Sequence, residues 1–243
     1  MRRVAEARKP ELGLKHGTVL WSSGPAIPDS VVDNWEDDDL TEWSNTSAVA
    51  TTSTSPVLEG SVSLQIQSPL SSAGDRPYSL LGDGLDYYPQ KGDKFSVLLR
   101  GSTDADVPAF CWGVATNTNG LDGYELFHHP NYNDYGLRRL DDGSLTEVSR
   151  PSASLATDQT HEYEVQWHDG SGTQPDNTIE ITVYETDETA DLTSNLGRNS
   201  EVDSITVSDA TYAANDGVGI SNASGKVSGT NRIDRYWHLG SVE

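Results

Sequence analysis

The chain has 243 residues, 34% of them hydrophobic, and sets 38 acidic residues against 16 basic ones for a net charge of −22. That length suffices for one two-sheet β domain with its own core, and a single cysteine, Cys111, excludes an intramolecular disulfide framework. The charge argues against nucleic acid and anionic membranes as partners, since both are polyanions, and no apolar run is long enough to insert in a bilayer.

Asp outnumbers Glu by 24 to 14, and five of the basic residues are Lys. An acid-rich, Lys-poor surface of this kind resembles that of proteins from extreme halophiles. In molar salt the Debye length falls to about 3 Å, so like charges repel weakly while carboxylates keep the surface hydrated. An acidic binding protein for a basic partner is the other reading of the same charge.

In chain order, residues 1–28 form a basic arm. Arg2, Arg3, Arg8, Lys9 and Lys15 face only Glu6 and Glu11, while Leu12, Leu14, Val19, Leu20 and Trp21 make an apolar group too small for a core. Such a group suffices for docking into a groove or along a sheet edge, so the arm is expected to carry assembly, with Arg2, Arg3, Leu12, Leu14, Leu20 and Trp21 as its contacts. Its longest apolar run, Val19-Leu20-Trp21, is no export-signal core, and none is expected.

From residue 29 to 243 the periodicity is two rather than 3.6. Strands are expected at 46–54, at Val62, Leu64 and Ile66, at 94–100 and at 108–115, where Ala109, Phe110, Trp112 and Val114 mark Cys111 as a buried small hydrophobe. Further strands follow at 122–129, 135–140 and 144–149, the last two joined by the turn signal Asp141-Asp142-Gly143. Tyr163, Val165 and Trp167 alternate with Glu162, Glu164 and Gln166, and Ile179, Ile181 and Val183 alternate with Glu180 and Thr182. The polar stretch from Thr186 to Asn215 reads as a long surface connection with one helical turn. Strands at 216–221 and 232–238 close the chain, so the expected fold is an all-β, antiparallel two-sheet sandwich behind an extended arm.

Val32-Asp33-Asn34-Trp35-Glu36-Asp37-Asp38-Asp39-Leu40-Thr41-Glu42-Trp43 resembles the opening of concanavalin A-like, laminin G-like lectin and glucanase domains: an aromatic, Glu, an acidic turn, Leu and Trp. Gly123-Tyr124-Glu125-Leu126, Tyr135–Leu140, His161–Trp167, Asn177–Val183, Gly217–Ile220 and Ile233–Tyr236 follow in that family's order. The resemblance covers residues 31–240 and implies a jelly roll. It also implies a structural calcium near the first and last strands, with Glu36 and Asp234 as ligands; the alternative is an acidic turn exposed like any other.

Fold does not fix function. Family glucanases carry Glu-x-Asp-x-Glu on one strand, and this chain has no such triplet, so no enzyme is expected. Glu162 and Glu164 share a face, but the expectation there is a solvated outer surface. His128 and His129 are adjacent on one strand and must point apart, which argues against zinc. For a ligand, the informative residues are aromatics in polar loops. His129, Asn131, Tyr132, Asp134 and Tyr135 combine rings with amides and carboxylates, the mixture that stacks on a sugar face and hydrogen-bonds its hydroxyls. Tyr87 and Tyr88 form a second such group, and packing at the sandwich edge is the other reading of both. Asn45 and Asn222 open glycosylation sequons.

The expected function is a non-catalytic structural and binding module. The first reading is a virion surface component, a spike, turret or tail protein of a haloarchaeal virus, that contacts host glycans and assembles as a homo-oligomer and with other virion proteins through its arm. The alternative is a carbohydrate-binding or adhesive module of a secreted or cell-surface halophilic protein.

Overall fold

The computed structural model describes residues 30–242 apart from 34, 36, 45, 47–49, 55–57, 59–61, 67–75, 102–106, 117–120, 143, 187–197, 213–216 and 223–230. The arm of residues 1–28, with Arg2, Arg3, Leu12, Leu14, Leu20 and Trp21, lies outside the described residues, as do Glu36 and Asn45.

Alternating sequences that cannot bury both faces of a strand must pair and stack, and here they do so as an antiparallel two-sheet jelly-roll sandwich. Among the described residues the larger sheet has eight strands. Its order is β12 (Arg198–Ser208), β11 (Thr178–Thr186), β10 (His161–Trp167), β5 (Asp93–Arg100), β14 (Arg232–Ser241), β3 (Ser63–Ile66) and β2 (Ala50–Ser53), with β1 (Ser30–Asp33) also pairing to β14. The smaller has six, in the order β4 (Tyr78–Leu80), β13 (Gly217–Asn222), β6 (Pro108–Thr116), β7 (Leu121–His129), β8 (Asp134–Asp141) and β9 (Ser144–Ser149). Between β8 and β9, Asp142 takes φ 49°, the left-handed conformation that a tight hairpin demands.

Aromatic pairs join the sheets through the core. Phe95 meets Trp112 at 5.4 Å, Phe110 meets Tyr236 at 4.8 Å, and Tyr124 meets Trp167 at 6.0 Å between ring centroids. Trp35 and Trp43 from the opening acidic segment are buried in the same cluster, and the Trp43 indole N–H donates to Asp33 at 2.7 Å. Cys111 is buried, and burial pushes its thiol well up.

Two expectations need correction. The stretch from Thr186 to Asn215 is not a plain surface connection, because β12 occupies Arg198–Ser208 as an edge strand on β11. Ile205 and Val207 lie opposite Ile181 and Ile179 on the core side, but the next position in that row is Asp203, and register shifts follow at Val183 and Tyr184. A carboxylate in a core-facing place, and bulges that break the period of two, erase the pattern. The second correction depends on the first. Glu162 and Glu164 are 0% and 4% exposed, not solvated. Arg198, at the start of β12, binds Glu162 through Nε and Nη2 at 2.9 and 2.6 Å and Glu164 through Nη2 at 2.9 Å, while Lys94 reaches Glu164 at 3.2 Å.

Candidate functional site

The first candidate surface is built where β7 turns into β8. Pro130 fixes its own φ and starts a single 3-10 turn over Pro130–Tyr132, and Asn133, at φ 52°, ends it in the left-handed region. The turn lifts Tyr132 away from the sheet, leaving it 64% exposed. The His129 ring packs beside it at 4.5 Å, and the Arg150 guanidinium stands 5.2 Å from the centre of the Tyr132 ring. Arg150 also donates to Asp134 from Nε and Nη2 at 2.9 and 3.2 Å. Asn131 is exposed on the same turn. An exposed ring, a fork of donors, a carboxylate and an amide thus share one surface.

Of the five residues expected there, Tyr135 does not take part. It faces the core, fully buried, with its ring 5.8 Å from that of Tyr163. Strand alternation explains this: His128 lies opposite Tyr135 in the register, so both point inward while His129 points out. Inside, the His128 and His161 rings stack at 5.2 Å and His128 Nδ1 lies 2.6 Å from the Tyr163 hydroxyl. Burial above all, then the neighbouring His161 and His129, holds the His128 imidazole well below its ordinary pKa. Arg150 was missed from the sequence because nothing near it marks a ligand site; its place follows from the β8–β9 hairpin.

The second candidate is a cavity of about 400 Å³ in the β4–β5 connection, lined by Leu81, Leu85, Asp86, Tyr87, Tyr88, Gln90, Lys91 and Asp93 among others. Local hydrogen bonds fix its floor. Asp93 accepts from the Tyr87 hydroxyl at 2.5 Å and from the Gln90 backbone N–H at 2.8 Å, and the Tyr88 hydroxyl lies 2.9 Å from that of Ser79. The Tyr87 ring stacks on His238 at 3.8 Å, and burial, with Tyr236 and Asp93 close by, pushes its phenol up. Lys91 donates to Asp176 at 2.9 Å and to the Asn177 side chain. Gln90 and Asp86 remain exposed at the rim, beside Leu81 at 68% exposure. Both tyrosines therefore pack at the sandwich edge and line a concavity.

Asp234 is fully buried, accepting from the Ser63 hydroxyl at 2.6 Å and from the Arg235 backbone N–H at 2.8 Å. Both its oxygens hold protein donors, and the other expected calcium ligand, Glu36, lies outside the described residues. Among the described residues no three His, Cys, Asp or Glu side chains could hold a metal together. Asn222 is buried too, with its amide oxygen accepting from the Val107 N–H at 3.0 Å, and the rest of its sequon lies outside the described residues.

The outer face of the smaller sheet carries a charged group that the sequence did not single out. Glu125, 0% exposed, accepts from Arg76 Nε at 3.0 Å, from Ser221 at 2.6 Å and from Arg138. Burial alone would raise its carboxyl, but Arg76 and Arg138 outweigh it and bring the pKa down to about 2. Arg138 in turn lies 4.5 Å from the centre of the Phe127 ring, with Arg150 at 5.7 Å from the same ring.

No protein-family model and no curated protein matches the chain. Among solved structures it is similar to the carbohydrate-binding module CBM66 from Bacillus subtilis, at 9% identity over 82% of this chain and 95% of that one, with a TM-score of 0.47. It is also similar to a marine PL-14 alginate lyase from Aplysia kurodai, at 11% identity over 92% and 100%, with a TM-score of 0.47. The CBM2 module of an evolved Dit protein from Lactobacillus casei phage J-1 aligns at 11% identity over 69% and 70%, with a TM-score of 0.35.

Proposed function

We propose that this chain is a non-catalytic carbohydrate-binding module. The observation that carries the reading is the cavity of about 400 Å³ in the β4–β5 connection. Its size suits a sugar unit, its apolar walls are tyrosine and leucine, and Asp86 and Gln90 offer an acceptor and an amide to hydroxyl groups. The absence of catalysis rests on the state of the carboxylates. Glu162 and Glu164, which share a face of β10, are clamped by Arg198 and Lys94, so neither is available as nucleophile or proton donor.

Binding of neutral oligosaccharides on a glycan array in molar salt, followed by calorimetry, tests this. The D86A/Q90A variant alters two exposed rim residues and should fold as the parent does, yet bind at least about tenfold more weakly after losing two polar contacts. No binding by the folded parent, or equal binding by the variant, would overturn the reading.

The finer assignment is a surface component of a virus of halophilic archaea, where the module contacts host glycans. Its support is the acid-rich, Lys-poor composition, together with the basic stretch of residues 1–28 on an otherwise acidic chain. Mass spectrometry of purified virions should find the chain among their proteins. Recovery from a cell-envelope fraction instead supports the alternative, an adhesive module of a cell-surface protein.

A further inference from the structure

We infer a second carbohydrate-binding surface, formed by Tyr132, Arg150 and Asn131 at the end of the sandwich opposite the cavity, that takes an acidic sugar through its carboxylate. The inference rests on the reading of the chain as a glycan-binding module, and it concerns a separate site.

Strand register places the two sites. The cavity belongs to the start of β5, where Gly92 N–H donates to Trp167 O at 2.5 Å and Asp93 pairs with Trp167. The Tyr132 surface belongs to the other end of β10, because His128, next to His129, stacks on His161, and His161 pairs with Leu99 near the end of β5. β10 runs from His161 to Trp167. At about 3.3 Å per residue the two sites stand roughly 20 Å apart, too far for one monosaccharide to touch both.

The two ends differ in electrostatic preference. The cavity wall holds Asp86 and Asp93 against one cation, Lys91, which Asp176 already occupies. An anion entering there meets uncompensated carboxylates. At the other end the guanidiniums of Arg76, Arg138 and Arg150 run along one face of the smaller sheet, with the Phe127 ring between the last two. Two carboxylates are engaged with them: Glu125, shared by Arg76 and Arg138, and Asp134, bound to Arg150. Glu147, paired with Arg138 across the β8–β9 ladder, is exposed and can turn to solvent. With three guanidiniums against Glu125, Asp134 and Glu147 this face is near charge balance, so a carboxylate ligand meets less repulsion here than at the cavity wall.

Arg150 is built for that ligand. Asp134 fixes the guanidinium by accepting from Nε and Nη2, and no described residue engages Nη1. A fixed guanidinium loses little freedom on binding, and its remaining donors match carboxylate geometry. The ring of Tyr132, 64% exposed, offers a platform for the sugar's apolar face, and Asn131 an amide for its hydroxyls.

The probes are a hexuronate oligosaccharide and the same oligosaccharide with its carboxyl groups reduced, titrated into the full chain. The parent should bind the acidic probe, and R150Q should weaken binding by about tenfold to a hundredfold, the span expected for a lost charge-assisted contact. With the cavity rim altered in D86A/Q90A, the reduced probe should bind as weakly as the acidic probe binds R150Q, and adding Y132A should weaken both probes. D86A/Q90A should leave the acidic probe unaffected. Unchanged binding by R150Q with its melting temperature preserved, equal affinity of D86A/Q90A for both probes, or no binding of the acidic probe would overturn the second site. Loss of acidic-probe binding in D86A/Q90A would also overturn it, by placing that ligand in the cavity. If the acidic probe binds as expected but no neutral glycan depends on Asp86 or Gln90, the cavity reading fails while the second site stands.

Discussion

A carboxylate without solvent contact, shared between two guanidiniums and a hydroxyl, makes Glu125 the residue whose loss should cost most outside the aromatic core. Glu125→Ala strands Arg76 and Arg138 without their shared anion, and removing one partner of such a buried network costs about 3–5 kcal/mol. Chemical denaturation in molar salt should show it, and a loss under about 1 kcal/mol would mean that the network contributes little. His128 gives a pH effect of known sign. Its folded pKa lies well below 6.5, so its stabilisation is fully present above pH 6.5 and is lost as pH falls and the unfolded chain takes up the proton. The slope is about 1.4 kcal/mol per pH unit below that point. Asp33, raised to about 6 chiefly by burial, contributes in the opposite direction, gaining stability as pH falls through that value. The useful measurement is therefore parent against His128→Gln, and the variant should lose stability less steeply between pH 6.5 and 5. At this scale the sequence was readable where alternation governs, as in the opposed His128 and His129. It was not readable for Tyr135, the second residue of β8 after the turn, or for Arg150, whose role exists only once a hairpin sets it over Tyr132.

Between residues and the whole, strand pairing decides which substitutions the sandwich tolerates. At Gly217 a Cβ would collide with the Ser79 carbonyl oxygen of the neighbouring β4. That oxygen is backbone and cannot swing aside, so Gly217→Ala should push β4 off the sheet and cost about 1–3 kcal/mol. Hydrogen exchange should show the loss concentrated at Tyr78–Leu80, and a uniform loss would point elsewhere. Strands β10 and β11 were legible because apolar residues recur at every second position, Tyr163, Val165 and Trp167 in one and Ile179, Ile181 and Val183 in the other, all of them buried. β12 was not, since its core-facing row includes Asp203, and neither were the three-residue β4 and four-residue β1, too short to show a period. The missed β12 also explains why Glu162 and Glu164 were read as solvated: the arginine that clamps them begins that strand.

Over the whole molecule, a net charge of −22 sets how the fold responds to salt. Relief of about 3 kcal/mol of self-repulsion would move the melting temperature of a chain this size by about 6–12 °C between dilute and molar salt. Calorimetry across that range should show a steep rise, and a flat curve would sink the halophilic reading. The two-sheet architecture was legible from composition and alternation together, whereas the strand order was not, because pairing between distant segments leaves no local mark. That order sets the pace of folding. β14, which follows every other strand in the chain, lies inside the eight-stranded sheet, where it separates β5 from β3 and β2 and also pairs with β1. Ser30 is thereby joined to His238. Until β14 arrives, the strands on either side of it have no common neighbour and cannot complete the sheet. Closing loops of such length before any contact rewards them is slow. Refolding should accordingly be limited by β14 docking and take milliseconds to seconds or longer, leaving the half-built sheet with two open edges exposed to other chains in the meantime.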